Sequence, residues 1–427
     1  MKSPLVIFAA AAVGTAALAA KDITLTTPIE AVTAAKNAQP GDTIILPSGE
    51  FSDVVLNLSA TGTADSPITF RAAKPGKTLF TGASQLRFSG AHLRLQGFVF
   101  KDTSPILSDV IEFRTDSDEL ANHCTLIDCA VIADPTAQAK HKDSKWCSIY
   151  GLGNTVERCT FSGKANKGTT LVVWLSTEVD CGQHVIRGCH FLDRPKLGKN
   201  GGETIRIGDS KTAHLTASCK VLRNRFFQCN GEGEIISNKS CGNLYEGNTF
   251  LECEGALTLR HGHRCEVKGN LFIGNGKKLT GGVRLIGEDH VVRENEFVQL
   301  QGDGIRSAIT FMNAIPDTPP EGYQQVKRTI VERNLILDCK TPFTIGLKHD
   351  AGCTLPPLAV TVKNNLVYAP KSKLMSLQSE APGWTWEGNQ FTAGDPGDAI
   401  LGVTLTEQTQ PKTKLSALTA DQVGARF

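Results

Sequence analysis

The stretch Val221–Phe226, "VLRNRF", is the first of four close copies of one short phrase in this 427-residue chain. The other three are "YEGNTF" at Tyr245–Phe250, "VKGNLF" at Val267–Phe272 and "VRENEF" at Val292–Phe297. Each copy places an asparagine two residues before a phenylalanine. Such an asparagine suits a left-handed turn conformation, and asparagines at equivalent positions can stack in a ladder. The repetition therefore indicates a chain built from similar structural units.

Weaker copies of the phrase extend over most of the chain, with glycine or cysteine in place of asparagine at the first positions. Successive gaps of 22 to 39 residues fit coils of short strands joined by loops of variable length. The key residue of the phrase falls at Gly97, Cys129, Cys159, Cys189, Asn224, Asn248, Asn270, Asn295, Asn334, Asn365 and Asn389.

These coils predict an all-β fold, a single-stranded right-handed parallel β-helix in which each coil lies about 4.8 Å above the last. A β-propeller is the alternative, but its blades would need longer repeats of four antiparallel strands. The segment Pro28–Phe51, "PIEAVTAAKNAQPGDTIILPSGEF", predicts a short amphipathic helix followed by the first strand. We expect this helix to cap the open end of the coil stack, where strand edges must be covered.

The first 20 residues have the features of a cleaved export signal: a lysine, an apolar run and small residues at the end. A retained membrane anchor is the alternative, although the apolar run is short and rich in alanine. We therefore predict an exported protein, periplasmic or secreted, whose mature residues 21–427 form one β-helix domain and do not enter a membrane. The less regular segment after Ile400 is expected to fold back over the last coils.

The 45 Lys and Arg residues nearly balance the 43 Asp and Glu residues. This excludes the global positive field typical of a nucleic-acid-binding protein, although a local basic strip is compatible with it. The sequence does not indicate an oligomeric state.

The spacing of the cysteines favours stacked, buried, mostly free thiols. Cys129, Cys159 and Cys189 are 30 residues apart, and Cys229 and Cys253 are 24 apart. A third set, with intervals of 22 and 24, comprises Cys219, Cys241 and Cys265. Equal offsets suggest equivalent positions in the repeat. Disulfides are the alternative in an exported chain, and a zinc site is disfavoured because no Cys-x-x-Cys pair occurs.

The stretch Glu232–Ser240, "EGEIISNKS", raises a question of charge. Alternate residues of a strand share a face, so Glu232 and Glu234 project side by side and repel each other. A cation, a neighbouring base or solvent must offset that repulsion. Asn200 precedes Glu232 by 32 residues, about one coil, and can therefore stand beside the pair. Such hard oxygen donors suit Ca²⁺, which takes six to eight ligands, and fit the stricter octahedron of Mg²⁺ less well.

Three cations lie at coil spacing beyond the glutamate pair. Lys239 and Arg260 are 21 residues apart, and Arg260 and Arg284 are 24 apart. The spacing predicts a basic strip on successive coils, adjacent to the glutamates. A cation held there would bridge the protein to an acidic substrate. Taken singly, these residues also fit a solvated strand face with surface ion pairs, and their combination favours a functional site.

At these motifs the chain resembles polysaccharide lyase family 6, which contains alginate lyases and chondroitinase B. The resemblance is carried in order by "NGGETIRIG" (Asn200–Gly208), "EGEIISNKS" (Glu232–Ser240), "LTLRHG" (Leu257–Gly262) and "GGVRLIG" (Gly281–Gly287), and is supported by "FSGKANKG" at Phe161–Gly168. It implies that Asn200, Glu232 and Glu234 are ligands of Ca²⁺. It implies that Lys239 is the catalytic base and Arg260 the catalytic acid. It also implies substrate contacts from Arg206, His261 and Arg284.

The resemblance implies β-elimination at a uronic acid of an acidic polysaccharide, most simply alginate, with chondroitin or dermatan sulfate as the alternative. Lys239 must be neutral to take the C5 proton, and a neighbouring Ca²⁺ and Arg260 would disfavour its charged form. Arginine is a poor formal acid, so water or His261 is the alternative proton donor to the leaving oxygen. His261, His263 or a metal-bound hydroxide is the alternative base.

Two other functions are less consistent with the sequence. A β-helix glycoside hydrolase needs a pair of catalytic carboxylates and no lysine. A non-catalytic carbohydrate-binding β-helix is expected to present stacking aromatic residues, and aromatics make up only 6% of this chain.

Overall fold

The computed structural model describes residues 20–106, 109–397 and 403–427, and these form a parallel β-helix. Each complete coil contributes one strand to each of three long sheets, and every ladder between named strands is parallel. The predicted fold class is therefore confirmed, and the β-propeller alternative is wrong.

Strands are numbered along the chain. The first sheet contains, in order, β1 Asp22–Thr24, β2 Thr43–Leu46, β5 Ile68–Ala72, β8 Leu93–Gln96, β12 Thr125–Ile127, β15 Thr155–Glu157, β18 Val185–Arg187, β21 Lys220–Leu222, β24 Leu244–Glu246, β27 Glu266–Lys268, β30 Val291–Arg293, β33 Ile330–Glu332, β36 Thr361–Lys363 and β39 Thr385–Glu387. The second sheet contains β3 Gly49–Ser52, β6 Thr78–Thr81, β9 Phe98–Lys101, β13 Ala130–Ile132, β16 Thr160–Ser162, β19 His190–Arg194, β22 Arg225–Cys229, β25 Thr249–Leu251, β28 Leu271–Ile273, β31 Glu296–Val298, β34 Leu335–Leu337, β37 Leu366–Lys373 and β40 Gln390–Asp395.

The third sheet contains β11 Ala121–Asn122, β7 Gln85–Ala91, β10 Asp109–Glu112, β14 Lys145–Ile149, β17 Leu171–Val173, β20 Ile205–Ile207, β23 Glu234–Lys239, β26 Ala256–His261, β29 Val283–Leu285, β32 Ile309–Met312, β35 Phe343–Leu347 and β38 Met375–Leu377, with β4 Val55–Thr61 paired to β7. The α-helices are α1 Glu30–Asn37 and α2 Pro135–Gln138, and two single 3₁₀ turns lie at Gly304–Arg306 and Ala420–Gln422.

The predicted N-terminal helix is present as α1, and it buries Ala31 and Ala35 against the core. The strand β1 precedes this helix, so the expectation that the first strand follows the helix is wrong. β1 pairs in parallel with β2, and α1 is therefore the connection between two neighbouring coils. Its role as a cap of the stack stays a prediction.

The asparagine ladder is present as predicted. The side-chain amide of Asn224 donates to Oδ1 of Asn248 at 3.0 Å, and Asn248 donates in turn to Asn270 at 2.9 Å. The same side-chain bond continues through Asn295 and Asn334 to the end of the stack. Each Oδ1 also accepts the backbone N–H of the asparagine one coil earlier, so the ladder satisfies buried backbone donors at every turn.

The left-handed conformation belongs to the residue before each asparagine, which corrects the prediction. Arg223 has φ 51°, Gly247 φ 66° and Glu294 φ 57°, whereas Asn224 and Asn248 have no positive φ. The turn is made by the preceding residue, and the asparagine begins the return into the strand with its side chain in the core. This explains why glycine often precedes the asparagine in the repeat.

The phenylalanines of the repeat form a continuous stack inside the second sheet. Phe226, Phe250, Phe272 and Phe297 are directly opposite one another in register, with ring centroids 4.5 to 5.0 Å apart. All four are fully buried. Each of these phenylalanines lies two residues after an asparagine of the ladder. The repeat that aligns the asparagines therefore also aligns these aromatic rings in the core.

All thirteen cysteines are free, as the stacking interpretation predicted. The backbone N–H of Cys159 lies 3.5 Å from Sγ of Cys189, and the N–H of Cys189 donates to Oδ1 of Asn224 at 2.8 Å. These cysteines therefore continue the asparagine ladder toward the N-terminus. The predicted equivalence of Cys241 is wrong, because Asn243 is the residue that bonds to Cys219 one coil away.

Replacing Asn248 by alanine is expected to lower the free energy of unfolding by about 3 kcal/mol, since buried groups on Asn224 and Val221 lose their partners. Urea-induced unfolding followed by circular dichroism measures the change. Asn389→Ala is the control, because this half-buried asparagine ends the ladder and should cost clearly less. Equal losses in both variants would contradict a ladder that acts through burial.

The C-terminal segment folds back, as expected, and extends much further than the last coils. Residues 403–427 run along the outer face of the second sheet across many coils. The backbone N–H of Lys414 donates to Oε1 of Glu296 at 2.7 Å, and that of Ala425 donates to Oγ1 of Thr160 at 3.0 Å. The segment therefore joins coils that are separated by well over a hundred residues in sequence.

The predicted export signal lies outside the described residues, apart from Ala20, and its cleavage stays a prediction. Among the residues that the structure describes, no helix is long and apolar enough to cross a membrane. One hydrophobic cluster extends from Leu25 to Phe391. That residues 21–427 are one domain stays a prediction.

Candidate active site

An open pocket of about 550 Å³ lies on the third sheet, lined by strands β23, β26 and β29 and by the loop that precedes β20. Its wall combines oxygen donors with cations, although Asn200 and Arg306, which both line it, are 106 residues apart in sequence. Six of the eight predicted site residues line it: Asn200, Glu232, Glu234, Lys239, Arg260 and Arg284. The coil-spacing argument therefore brought together residues that are neighbours in space.

Two β-bulges set the local geometry of this pocket. Between β23 and β26, Glu234 pairs with Ala256 and Ile236 with Leu257, which leaves Ile235 as an extra residue. A second register shift leaves Arg260 unpaired. Bulges bend a strand and re-aim its side chains, and they are common beside active sites.

The bulge at Arg260 corrects the predicted alignment of the basic strip. Lys239 pairs with His261 and not with Arg260, and Arg284 pairs with Thr258. The three cations line one pocket, but they do not form a straight row of directly opposed residues. The extra residue in β26 shifts Arg260 out of the ladder, an irregularity that regular spacing does not reveal.

Lys239 is half-buried at the end of β23. Among the described residues, no carboxylate lies within 4.0 Å of its ammonium nitrogen, and that nitrogen has no hydrogen-bond partner in the chain. Lys239 lines the same pocket as Arg260. It therefore faces the pocket without an ion-pair partner among the described residues.

Arg260 is held by groups outside its own strand. Its guanidinium lies 4.1 Å from the ring centre of Tyr323, and Nη1 approaches the carbonyl of Gly322 at 3.5 Å. Arg284 donates to the hydroxyl of Tyr323 at 3.1 Å and forms an ion pair of 3.3 Å with Glu234. One tyrosine thus orients both arginines.

His261 and Arg206 lie outside the lining of this pocket. His261 is 2% exposed, and burial, with Arg260 and Lys239 nearby, lowers its pKa to about 3. Its imidazole is therefore neutral near pH 7. Arg206 lies over the ring of Trp174 at 4.8 Å, one coil toward the N-terminus, and its Nε is buried without a partner. That these two residues contact substrate stays a prediction.

Three glutamates of the pocket, Glu203, Glu232 and Glu234, lie close enough for their charges to interact. Burial raises the pKa of Glu232 to about 7, and Glu203 and Glu234 add to that rise. Glu232 nevertheless accepts two backbone N–H groups, from Gly201 at 2.8 Å and Gly202 at 3.0 Å, through Oε2. Oε2 of Glu203 is buried and has no hydrogen-bond partner.

These observations fit a hard cation beside Asn200, Glu232 and Glu234. The donors are all oxygens, the unpartnered carboxylate of Glu203 is an added negative charge, and no histidine or cysteine lines the pocket. In the described parts of the chain, no three His, Cys, Asp or Glu side chains converge closely enough to bind a metal by themselves. Amide, backbone or water oxygens would have to complete the shell, as is common for Ca²⁺.

Sequence reasoning missed several residues of the site. Glu203 was visible inside the motif "NGGETIRIG" but was not singled out as part of the carboxylate cluster. Arg306 and Tyr323 come from connections of irregular length after β31 and β32, so coil spacing could not place them. Arg306 lines the pocket, and burial lowers its pKa. No motif in the sequence marks either residue.

Comparisons with known proteins show which family this chain is similar to. A family model described as Chondroitinase B matches residues 26–383. The solved structure of the PL6 family alginate lyase AlyGC is 33% identical, with a TM-score of 0.88 over 94% of this chain. This chain spans 58% of the length of that lyase. No curated protein matches the chain.

Two further solved structures are similar. A mannuronic acid specific polysaccharide family 6 lyase from human gut microbiota is 29% identical, with a TM-score of 0.78 over 88% of this chain and 87% of that one. A PL6 family polysaccharide lyase from Pseudopedobacter saltans is 24% identical, with a TM-score of 0.79 over 95% and 99% of the two chains. The last likeness shows the fold alone.

Proposed function

This chain belongs to polysaccharide lyase family 6, the family of chondroitinase B, and we propose that it cleaves an acidic polysaccharide, alginate, by β-elimination. The observation that carries the proposal is the meeting of Lys239, Arg260 and the oxygen donors in one open pocket. A β-helix hydrolase would need no lysine there. The pocket is open to solvent and lined by charge, which suits a polyanion better than a small apolar ligand.

Lys239 is proposed as the base that takes the C5 proton of a uronate residue. A general base needs a free electron pair within hydrogen-bond reach of the proton. Within the described residues no carboxylate forms an ion pair with Lys239, so its side-chain nitrogen is free to contact a bound uronate. Lys239 is also the only lysine that lines the pocket from a strand, since Lys196 and Lys199 precede β20 in a loop.

Arg260 is proposed to act at the leaving oxygen. Tyr323 and the carbonyl of Gly322 hold its guanidinium in place, so its donors are oriented before substrate arrives. It can stabilise the charge that develops on the leaving oxygen, and it remains protonated throughout. The proton itself then comes from water, because the buried and neutral His261 does not line the pocket.

Asn200, Glu232 and Glu234 are the proposed ligands of Ca²⁺. When bound, the cation would neutralise the uronate carboxylate and make the adjacent C5 proton easier to remove. The protein groups have a second role, because Arg284 forms an ion pair with Glu234 and fixes the direction of that carboxylate. Burial and the charges of Glu203 and Glu234 raise the pKa of Glu232, and a bound cation would oppose that rise.

Alginate is proposed as the substrate because two of the similar proteins are described as an alginate lyase and as a mannuronic acid specific lyase. The second candidate is dermatan or chondroitin sulfate, which the description of the matching family model favours. We also propose that the protein is exported to the periplasm or secreted, because the first 20 residues have the pattern of an export signal and the proposed substrate is a polymer.

Alginate treated with the purified protein is expected to yield unsaturated products that absorb in the ultraviolet, since β-elimination creates a conjugated double bond. The assay compares mannuronate-rich and guluronate-rich alginate, dermatan sulfate, chondroitin sulfate and polygalacturonate, and chromatography sizes the products. Absorbance from dermatan sulfate alone would support the second candidate. New reducing ends without absorbance would show hydrolysis and contradict the proposed function.

A further inference from the structure

Arg194, the last residue of β19, is a buried arginine with no acidic partner. Only 3% of it is exposed, and none of the described carboxylates lies within 4.0 Å of its guanidinium. Burial lowers the pKa of Arg194 to about 10, and Cys229, Glu203 and Glu232 oppose that fall. A charge held this deep is costly unless its donors are well used.

The guanidinium of Arg194 donates to backbone carbonyls in the turn before β17 and in the turn before β20. Nε donates to the carbonyl of Gly202 at 2.6 Å, and Nη2 donates to Gly168 at 2.9 Å and Gly201 at 3.5 Å. Nη1 reaches the hydroxyl of Thr170 at 3.2 Å. Arg194 therefore connects the turn before β17 to the turn before β20, the turn that carries Asn200.

The same two glycines hold the carboxylate of Glu232. The N–H groups of Gly201 and Gly202 both donate to its Oε2, at 2.8 and 3.0 Å. Arg194 therefore bonds to the carbonyls of the same two glycines whose N–H groups bind Glu232, closely to that of Gly202 and weakly to that of Gly201. Through these bonds the guanidinium fixes the turn that orients the carboxylate of Glu232.

Packing leaves little freedom in this arrangement. A side chain at Gly202 would place its Cβ 2.6 Å from the backbone of Gly231, and one at Gly231 would lie 2.4 Å from Nε of Arg194. The turn at Gly202, the turn at Gly231 and the guanidinium of Arg194 are therefore in direct contact. A substitution of Arg194 is therefore expected to shift the Gly201–Gly202 turn and, with it, the carboxylate of Glu232.

We propose that Arg194 is a positioning residue for the cation site: it holds the Gly201–Gly202 turn so that Glu232 and Asn200 face a bound Ca²⁺. The inference rests on the proposed function only in taking Asn200 and Glu232 as the ligands. Groups that orient metal ligands commonly change metal affinity by about 10-fold to 100-fold when they are removed. Arg194 does not line the pocket, so its effect acts through the turn.

The test measures Ca²⁺ affinity by titration calorimetry on metal-free protein, without substrate. Arg194→Met is expected to weaken Ca²⁺ binding by about tenfold or more. Arg194→Lys, which keeps a buried charge but not the forked donors, is expected to fall between that variant and the parent. Activity of both variants should recover at saturating Ca²⁺, a rescue that a general loss of folding would not allow.

Arg225→Met is the matched control. Arg225 lies on the second sheet, one coil away, is partly buried, and contacts His190 and Phe227 and not the site turn. Its Ca²⁺ affinity should equal that of the parent. The proposal is overturned if Arg194→Met binds Ca²⁺ within twofold of the parent, or if Arg225→Met loses as much affinity. Should Arg194→Met fail to fold, parental affinity in Arg194→Lys overturns it as well.

The result is separate from the test of the proposed function. If no polyuronate yields unsaturated products but Arg194→Met still weakens Ca²⁺ binding, the lyase proposal fails and this inference stands. If alginate is cleaved and Ca²⁺ affinity is unchanged in Arg194→Met, only this inference fails. A parent protein that binds no Ca²⁺ overturns this inference whatever the lyase assay shows.

Discussion

Lys239→Arg is expected to reduce turnover of alginate by a factor on the order of a thousand. Arginine keeps the positive charge and most of the length, but it cannot supply a neutral amine. The substitution therefore separates proton abstraction from attraction of a polyanion. Lys239 has no hydrogen-bond or ion-pair partner in the described chain, so the variant should unfold at a temperature close to that of the parent.

Initial rates from ultraviolet absorbance give the loss of turnover, and calorimetry with an alginate oligosaccharide gives the binding affinity, which should stay within a fewfold of the parent. Lys268→Arg is the control. Lys268 lies on the first sheet, has a side chain that is 31% exposed, and pairs with Glu246 at 3.2 Å. Retention of a tenth or more of parental turnover by Lys239→Arg would show that Lys239 only attracts the substrate, and the base would then be sought at His263 or a metal-bound hydroxide.

Removal of divalent metal is expected to lower activity by a factor on the order of a hundred, because a cation that neutralises the uronate carboxylate contributes several kcal/mol to the reaction barrier. Ca²⁺ should restore activity better than Mg²⁺, which demands a stricter octahedron. Glu234→Gln should weaken Ca²⁺ binding and lower activity at limiting Ca²⁺. The fold should persist, since Glu234 lies outside the buried core.

Glu254→Gln is a matched control for Glu234→Gln. Glu254 lines the same pocket, but it pairs with Lys196 at 3.9 Å and is not a proposed ligand. Calorimetry with Ca²⁺ and rates over a range of Ca²⁺ concentrations distinguish the two variants. Full activity in excess chelator, with elemental analysis showing no retained metal, would rule out a catalytic cation. Equal loss of Ca²⁺ affinity in both variants would instead indicate a general effect of pocket charge.

The fold could be predicted from the sequence because its evidence is local and repeated. In a parallel β-helix, equivalent residues of successive coils are neighbours, so a phrase that recurs every coil places Asn248 on Asn270 and Phe250 on Phe272. Many copies of one weak signal add up to a strong one. The motifs of the site were readable for the same reason, since one coil of spacing converts directly into contact.

The same logic failed wherever the chain departs from the repeat. The bulge at Arg260 moved Lys239 opposite His261, and an extra residue in one strand leaves no mark on average spacing. Tyr323 reaches Arg260 from 63 residues away through a connection of irregular length. Its place depends on how a loop packs over the sheet, and the repeat carries no information about that.

The β-helix, the ladder of asparagines and most of the charged residues of the pocket can be predicted from the amino-acid sequence. How those charges are held depends on contacts that form only in the folded protein. Arg194 reaches Glu232 through the backbone of Gly201 and Gly202, and Glu296 fastens a terminal segment from more than a hundred residues away. Periodicity specifies which residues become neighbours along the stack, whereas contacts between turns, loops and the terminal segment depend on side-chain packing and hydrogen bonds that exist only in the folded chain.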